Sequence, residues 1–114
     1  MKENLIATKT YAFAIKIVNL NKKLISKNEF VISRQLLKSG TSIGANVEEA
    51  IGGLSKKDFR AKMSISYKEA RETSYWLKLL KDTDFITQEE YNDFNEDLAS
   101  ILKILFKIID SSKE

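Results

Sequence analysis

Apolar residues recur at spacings of three and four in four blocks along this chain, separated by short polar or glycine-bearing breaks. The first block predicts a helix over about 4–26. Within it Tyr11, Ala14, Ile15 and Val18 form one stripe, and Phe13, Ile17, Leu20 and Leu24 form another. The helix is therefore apolar over a wider arc than one core contact requires. Lys27-Asn28 follows, with Asn28 suited to the left-handed position that closes a helix.

The second block predicts a helix over 31–51. Leu36, Leu37, Gly40, Ile43, Gly44, Val47, Ala50 and Ile51 share one face. A glycine inside a helix costs roughly 1 kcal/mol against alanine, so Gly40 and Gly44 need an offset, and close approach of a neighbouring helix backbone is the simplest one. Gly52-Gly53 ends the helix.

The third helix, over 55–82, opens with Ser55 as N-cap and Asp58 as an acidic capping-box partner. Leu54 and Phe59 occupy the positions of a hydrophobic staple, and Met63, Tyr67, Ala70, Ser74 and Leu77 continue the stripe. The fourth, over 87–110, repeats this grammar with Thr87, Glu90, Ile86 and Tyr91. Its stripe then runs through Phe94, Leu98, Ile101, Leu102, Leu105 and Ile109. Links of roughly four to six residues make neighbouring helices antiparallel. The expectation is an all-α, up-down-up-down four-helix bundle forming a single domain over residues 1–114.

Composition narrows the chemistry. The chain of 114 residues has no cysteine, histidine or proline. Disulfides, thiolate nucleophiles and Cys-ligated metals are excluded, and the commonest general base and metal ligand are missing. Glu48, Glu49, Glu69 and Glu72 lack the Glu-x-x-His pattern of di-iron bundles. With Lys68 and Arg71 among them, ion pairs between the second and third helices are the better reading. No phosphate-binding glycine loop is present, because Gly40 and Gly44 sit within a helical pattern. The expectation is a non-enzyme with no cofactor, metal or small-molecule substrate. No apolar run approaches the roughly 20 residues that span a bilayer, and no signal peptide opens the chain, so a soluble, cytoplasmic protein is expected.

Charge is uneven although the net value is only +3. Residues 1–57 carry 10 basic and 4 acidic side chains, whereas residues 58–114 carry 9 and 12. In an up-down bundle Lys2, Lys9, Lys56, Lys57, Arg60, Lys62, Lys103, Lys107 and Lys113 gather at one end. Asp82, Asp84, Glu89, Glu90, Asp93, Glu96 and Asp97 gather at the other. Lys2, Lys9, Lys16 and Lys23 also recur every seven residues. They form a line with steps of about 10 Å that a phosphate backbone could follow. An ordinary solvated lysine face has the same pattern. Ile65, Tyr75, Trp76 and Leu79 lie off the main stripe of the third helix; a thick core would absorb them, and a subunit interface, the reading favoured by the surplus on two helices, would also bury them.

Three stretches carry a family resemblance. Ser39-Gly40-Thr41-Ser42-Ile43-Gly44-Ala45-Asn46, with Ser55-Lys56-Lys57-Asp58-Phe59 and Tyr67-Lys68-Glu69-Ala70-Arg71-Glu72-Thr73 behind it, resembles the bacterial four-helix bundle proteins encoded in intervening sequences of 23S rRNA genes. The resemblance implies a ring-like homopentamer. It also implies kinship with the accessory variability proteins of diversity-generating retroelements, basic pentamers that bind nucleic acid and a reverse transcriptase. It brings no catalytic residues. In its terms Gly40 and Gly44 serve close helix contact, Asn46 and Glu49 make polar contacts to the third helix, and Tyr75 and Trp76 serve packing or a subunit surface. The functional expectation is an oligomeric scaffold that binds RNA or an RNA–protein complex through a basic surface. The alternative is a protein-interaction module, such as a reverse-transcriptase partner, without direct nucleic-acid binding.

Overall fold

The computed structural model describes residues 2–113, with side chains from Leu5 onward. Four helices make up the fold: α1 (Lys2–Ser26), α2 (Ile32–Ile51), α3 (Lys56–Asp82) and α4 (Gln88–Ser111). No strand occurs among the described residues. α2 and α4 each pack on both α1 and α3, and the diagonal pairs stay apart. The molecule measures 46 × 20 × 19 Å.

Local chemistry sets the helix ends. Asn28 takes the left-handed conformation (φ 63°) after α1, and Asp84 does the same (φ 66°) after α3. Thr87 and Glu90 form a complete capping box at α4, the Thr87 Oγ1 accepting from the Glu90 N–H at 3.0 Å and the Thr87 N–H donating to Glu90 at 2.9 Å. At α3 only half of that box forms: the Asp58 N–H donates to Ser55 Oγ at 3.0 Å, without the return bond. The Leu54–Phe59 staple does not form either, and Leu54 is 100% exposed. The Gly52-Gly53 turn explains this. It folds Gly53 back, its N–H donating to the Ala50 carbonyl at 3.0 Å, and the Asp58 carboxylate lies against Gly53, so Leu54 points outward. Gly52 ends α2 with φ −82°, which is not a left-handed glycine.

α2 begins without a short capping side chain. Buried Glu29 does the work instead. Its carboxylate accepts from the backbone N–H groups of Val31, Ile32 and Ser33 at 3.2, 3.1 and 2.6 Å. Ser33 Oγ returns a bond to the Glu29 carbonyl at 2.7 Å, and Asn21 Nδ2 of α1 donates to the Ser33 carbonyl at 3.1 Å. This buried knot satisfies the orphan N–H groups of the helix start and ties α1 to α2.

The core is built from Phe13, Ile17, Leu20 and Leu24 of α1, Leu36, Ile43 and Val47 of α2, Met63, Ala70, Leu77 and Leu80 of α3, and Phe94, Leu98, Ile101 and Leu105 of α4. Gly40 and Gly44 both face α1. A Cβ on Gly40 would sit 2.8 Å from the Ile17 side chain, and one on Gly44 would sit 3.4 Å from the Thr10 backbone. The close approach expected of these glycines is thus to α1, by a side chain at Gly40 and by backbone at Gly44. α2 and α3 meet through small polar residues: Ser66 Oγ donates to the Ile43 carbonyl at 2.8 Å, and Thr73 Oγ1 donates to Ser39 Oγ at 3.0 Å.

The other α1 stripe is not buried. Tyr11 is 71% exposed, and Ile15 and Val18 are exposed beside it. On α3, Ile65 and Tyr75 are exposed at 40% and 59%, whereas Trp76 and Leu79 are half-buried. The extra apolar arcs of both helices therefore remain largely on the outside of the single chain.

Candidate nucleic-acid interface

Three of the lysines expected to face phosphates are engaged with carboxylates. Lys16 Nζ bridges Asp93 at 2.8 Å and Asp97 at 2.6 Å on α4, and it lies 4.8 Å from the Phe94 ring centre. Lys23 pairs with Glu90 at 2.7 Å, and Lys62 pairs with Glu49 of α2 at 3.0 Å. The heptad lysine line is therefore not a free ladder. Its middle and upper members tie α1 to α4, as a lysine stripe does when an acidic helix lies beside it. Lys9 is half-buried and borders a small hollow with Phe13, Lys16 and Asp97. The Lys2 side chain lies outside the described residues.

These pairs move the titrations. Burial opposes the charge on Lys16, but its hydrogen bonds to Asp93 and Asp97, and their charges, outweigh it and raise the ammonium above its ordinary 10.5. The bond to Lys23 and the capping bond from the Thr87 N–H hold Glu90 down at about 2, against an ordinary 4.5. The bond to Glu49 raises Lys62.

A different set of cations stays free. Lys56, Lys57, Arg60, Lys103 and Lys107 have no carboxylate partner within 4.0 Å among the described residues. The start of α3 and the end of α4 bring Lys56, Lys57, Arg60 and Ala61 together with Ser112 and Lys113, around an open groove of about 690 Å³. Arg60 Nε is buried there without a hydrogen-bond partner, and no other side-chain nitrogen or oxygen among the described residues is left that way. A buried donor left unpaired normally marks a missing acceptor. The first N–H groups of α3 add the positive end of a helix dipole beside the lysines. The signal in the sequence was the Lys56-Lys57 pair. The sequence already placed Lys113 at this end of the bundle; it did not show that Asp110 holds Lys113 at 3.0 Å.

Other motif residues settle differently from expectation. Asn46 Nδ2 donates to the Ser42 carbonyl of its own helix at 2.8 Å and makes no hydrogen bond to α3. Glu72 accepts from Trp76 Nε1 at 3.0 Å within α3, and the Tyr75 and Trp76 rings pack edge to face at 5.0 Å. The Glu69 carbonyl accepts from Thr73 at 2.7 Å. Lys68 and Arg71 form no ion pair among the described residues. The network expected between α2 and α3 thus reduces to Glu49–Lys62, because the remaining charges lie on the outer side of α3. Among the described residues no three acidic side chains converge in an arrangement that could hold a metal ion. No helix among them is long and apolar enough to cross a membrane.

Comparison with known proteins agrees with the motif reading. No curated protein matches the chain. Among solved structures, a protein of unknown function from the S23 ribosomal protein family of Bacteroides thetaiotaomicron is 50% identical to it. That match covers 96% of this chain and 99% of the other, with a TM-score of 0.95. Residues 2–107 match the family model described as 23S rRNA-intervening sequence protein. With nearly the whole helical framework matched in sequence and in shape, the chain belongs to the 23S rRNA-intervening sequence protein family.

Proposed function

We propose that this chain is a non-enzymatic scaffold that assembles as a ring-like homo-oligomer and contacts RNA, or an RNA–protein complex, through the groove at the α3 start. The observation that carries the reading is the groove itself. It gathers Lys56, Lys57 and Arg60 without a carboxylate partner, with Lys113 beside them held by Asp110 at 3.0 Å, and leaves the buried Arg60 Nε without an acceptor. Phosphate oxygens are the acceptors that such a donor set fits, and Lys103 and Lys107 widen the same basic end. Lys16, Lys23 and Lys62 are excluded from this surface, because a phosphate would have to displace their carboxylates first. The protein is taken to work in the cytoplasm, without a cofactor or small-molecule substrate.

The protomer in this reading is an up-down-up-down bundle. The order of contacts supports it: Thr10 and Ile17 of α1 meet Gly44 and Gly40 of α2, and Ser39 and Ile43 of α2 meet Thr73 and Ser66 of α3. Partner numbers fall as the chain numbers rise in both cases. The exposed apolar arcs of α1 and α3 support assembly, and the family resemblance puts the ring at five copies. Light scattering is then expected to give about five times the chain mass of 13.0 kDa.

Mobility shifts of a structured RNA over a salt series test the RNA claim. Binding that weakens steeply with salt is expected. Binding no tighter than that of a net-neutral helical bundle, or a flat salt response, overturns it. A protein-interaction module is the second reading, favoured by the outward Tyr11, Ile15 and Leu54. A partner protein that stays bound after nuclease treatment would favour that reading.

A further inference from the structure

α3 carries eight basic and four acidic side chains, and the groove at its start uses only the first three cations. The acids have their own places. Asp58 lies against Gly53, Asp82 pairs with Lys81 at 3.4 Å, and Glu72 accepts from Trp76 Nε1 at 3.0 Å. Glu69 stands on the same side of the helix as Lys62, which Glu49 of α2 holds at 3.0 Å. Lys57, Lys68, Arg71 and Lys78 are exposed and have no carboxylate partner within 4.0 Å among the described residues.

These four cations are aligned. At 3.6 residues per turn they fall within about 80° of one another around α3, and Tyr75 falls inside the same arc. From Lys57 to Lys78 the stripe runs about 30 Å and contains no carboxylate. It begins in the groove, which Lys57 lines. α4 borders it, Phe106 meeting Tyr67 and Tyr91 meeting Lys81. At those levels α4 adds the unpaired Lys103 and Lys107 beside the middle of the stripe and Glu96 near its upper end. The lysine line of α1 differs, because there α4 supplies Asp93, Asp97 and Glu90. Charged residues are depleted in interface cores, so the stripe does not suit one and leaves Ile65 and the α1 arc for assembly.

Tyr75 stands among these cations and is 59% exposed. Its ring packs edge to face with Trp76 at 5.0 Å, and Glu72 holds Trp76 in turn. The ring is braced on one side and open on the other. A braced aromatic ring in a row of free cations is a platform on which a nucleic-acid base can stack. Only an unpaired base offers a free face. In a duplex the bases are stacked inside, and the backbone is what meets the protein. Tyr75 therefore favours a single strand.

We propose that the outer face of α3 carries an unpaired RNA strand onward from the groove, its phosphates on Lys57, Lys68, Arg71 and Lys78 and one base stacked on Tyr75. This rests on the RNA reading and names the form of RNA that the surface takes.

The probe is an oligouridylate, free or annealed to oligoadenylate. Binding is followed over a salt series and by the emission of Trp76, the only tryptophan of the chain. The free strand is expected to bind more tightly than the duplex and to quench Trp76. Tyr75→Ala should weaken binding of the free strand about tenfold with its salt slope unchanged, and Tyr75→Phe should restore it. Lys68→Gln, Arg71→Gln and Lys78→Gln together should lower the slope by about 2, at about 0.7 per phosphate contact. All four positions are exposed, so helix content should not change. A duplex bound as tightly as the free strand, a Tyr75→Ala chain that binds like wild type, or an unchanged slope in the triple variant overturns the stripe. The groove reading still stands in those cases if Lys56→Gln, Lys57→Gln and Arg60→Gln together weaken binding. No salt-dependent binding of either form overturns the RNA reading and the stripe with it.

Discussion

The Ile17 side chain occupies the place where Gly40 has no Cβ; a carbon built there would lie 2.8 Å from both Ile17 Cγ atoms and 3.0 Å from Cδ1. The clash involves the branched base of the side chain as well as its tip, so rotation about one bond does not clear it. Overpacking of this kind costs about 1–3 kcal/mol, against a gain of about 1 kcal/mol for replacing a helical glycine with alanine. Gly40→Ala is expected to lose about 1 kcal/mol in urea denaturation. Adding Ile17→Ala should cost less in that background than alone, since it removes both clashing Cγ atoms. Gly44→Ala, whose added carbon would meet Thr10 at 3.3–3.4 Å, is expected to be nearly neutral. Equal losses at the two glycines would contradict the assignment of the tight contact to Ile17.

Glu29 is the largest local determinant of the α2 start. Its carboxylate holds the N–H groups of Val31, Ile32 and Ser33, and its burial leaves no water to replace it. Glu29→Ala is expected to cost about 2 kcal/mol, beyond the roughly 1 kcal/mol of an ordinary cap removal such as Thr87→Ala. Chemical denaturation of the two variants side by side checks the order. A smaller loss at Glu29 than at Thr87 would contradict the capping role.

The α1/α4 seam should be sensitive to pH at both extremes. Glu90 has a depressed folded pKa of about 2, so its contribution is complete above the ordinary 4.5 and disappears as pH falls towards 2. Because its partner Lys23 is largely exposed, screening limits the loss to about 1 kcal/mol. Lys16 has a raised pKa, so its contribution is complete below 10.5 and is lost as pH rises through the folded value above that. Stability measured from pH 5 to pH 2 in wild type and in Lys23→Gln should show the shallower acid loss in the variant. Parallel curves would mean the pair does not link folding to protonation.

The four-helix reading was legible because it rests on local rules. Period marked the buried stripes, and Ser55 and Thr87 announced the starts of α3 and α4. Asn28 took the left-handed turn expected of it. The α2 start was not legible, because its cap is a long carboxylate three residues before the helix instead of a short polar residue at its edge. Leu54 and Phe59 had staple spacing, but the preceding turn set the direction of Leu54, and spacing does not encode a turn. The surroundings of the lysine line are not legible for a related reason. Seven-residue spacing shows that Lys16 and Lys23 share a face of α1, and only packing shows that Asp93, Asp97 and Glu90 of α4 lie beside that face. The basic end is legible, because up-down topology alone brings Lys56, Lys57, Arg60 and Lys113 together; the Lys113–Asp110 pair and the unpartnered Arg60 Nε are not.

The central claim is that RNA is held by the unpaired cations of that groove and not by the paired ones along α1. The direct measurement is RNA affinity against salt for three proteins: wild type, a variant carrying Lys56→Gln, Lys57→Gln and Arg60→Gln, and a variant carrying Lys16→Gln and Lys23→Gln. Each phosphate contact contributes about 0.7–0.9 to the slope of log affinity against log salt. The slope is expected to be lower by about 2 in the groove variant and unchanged in the α1 variant. An unchanged slope in the groove variant, or an equal loss in both, would contradict it.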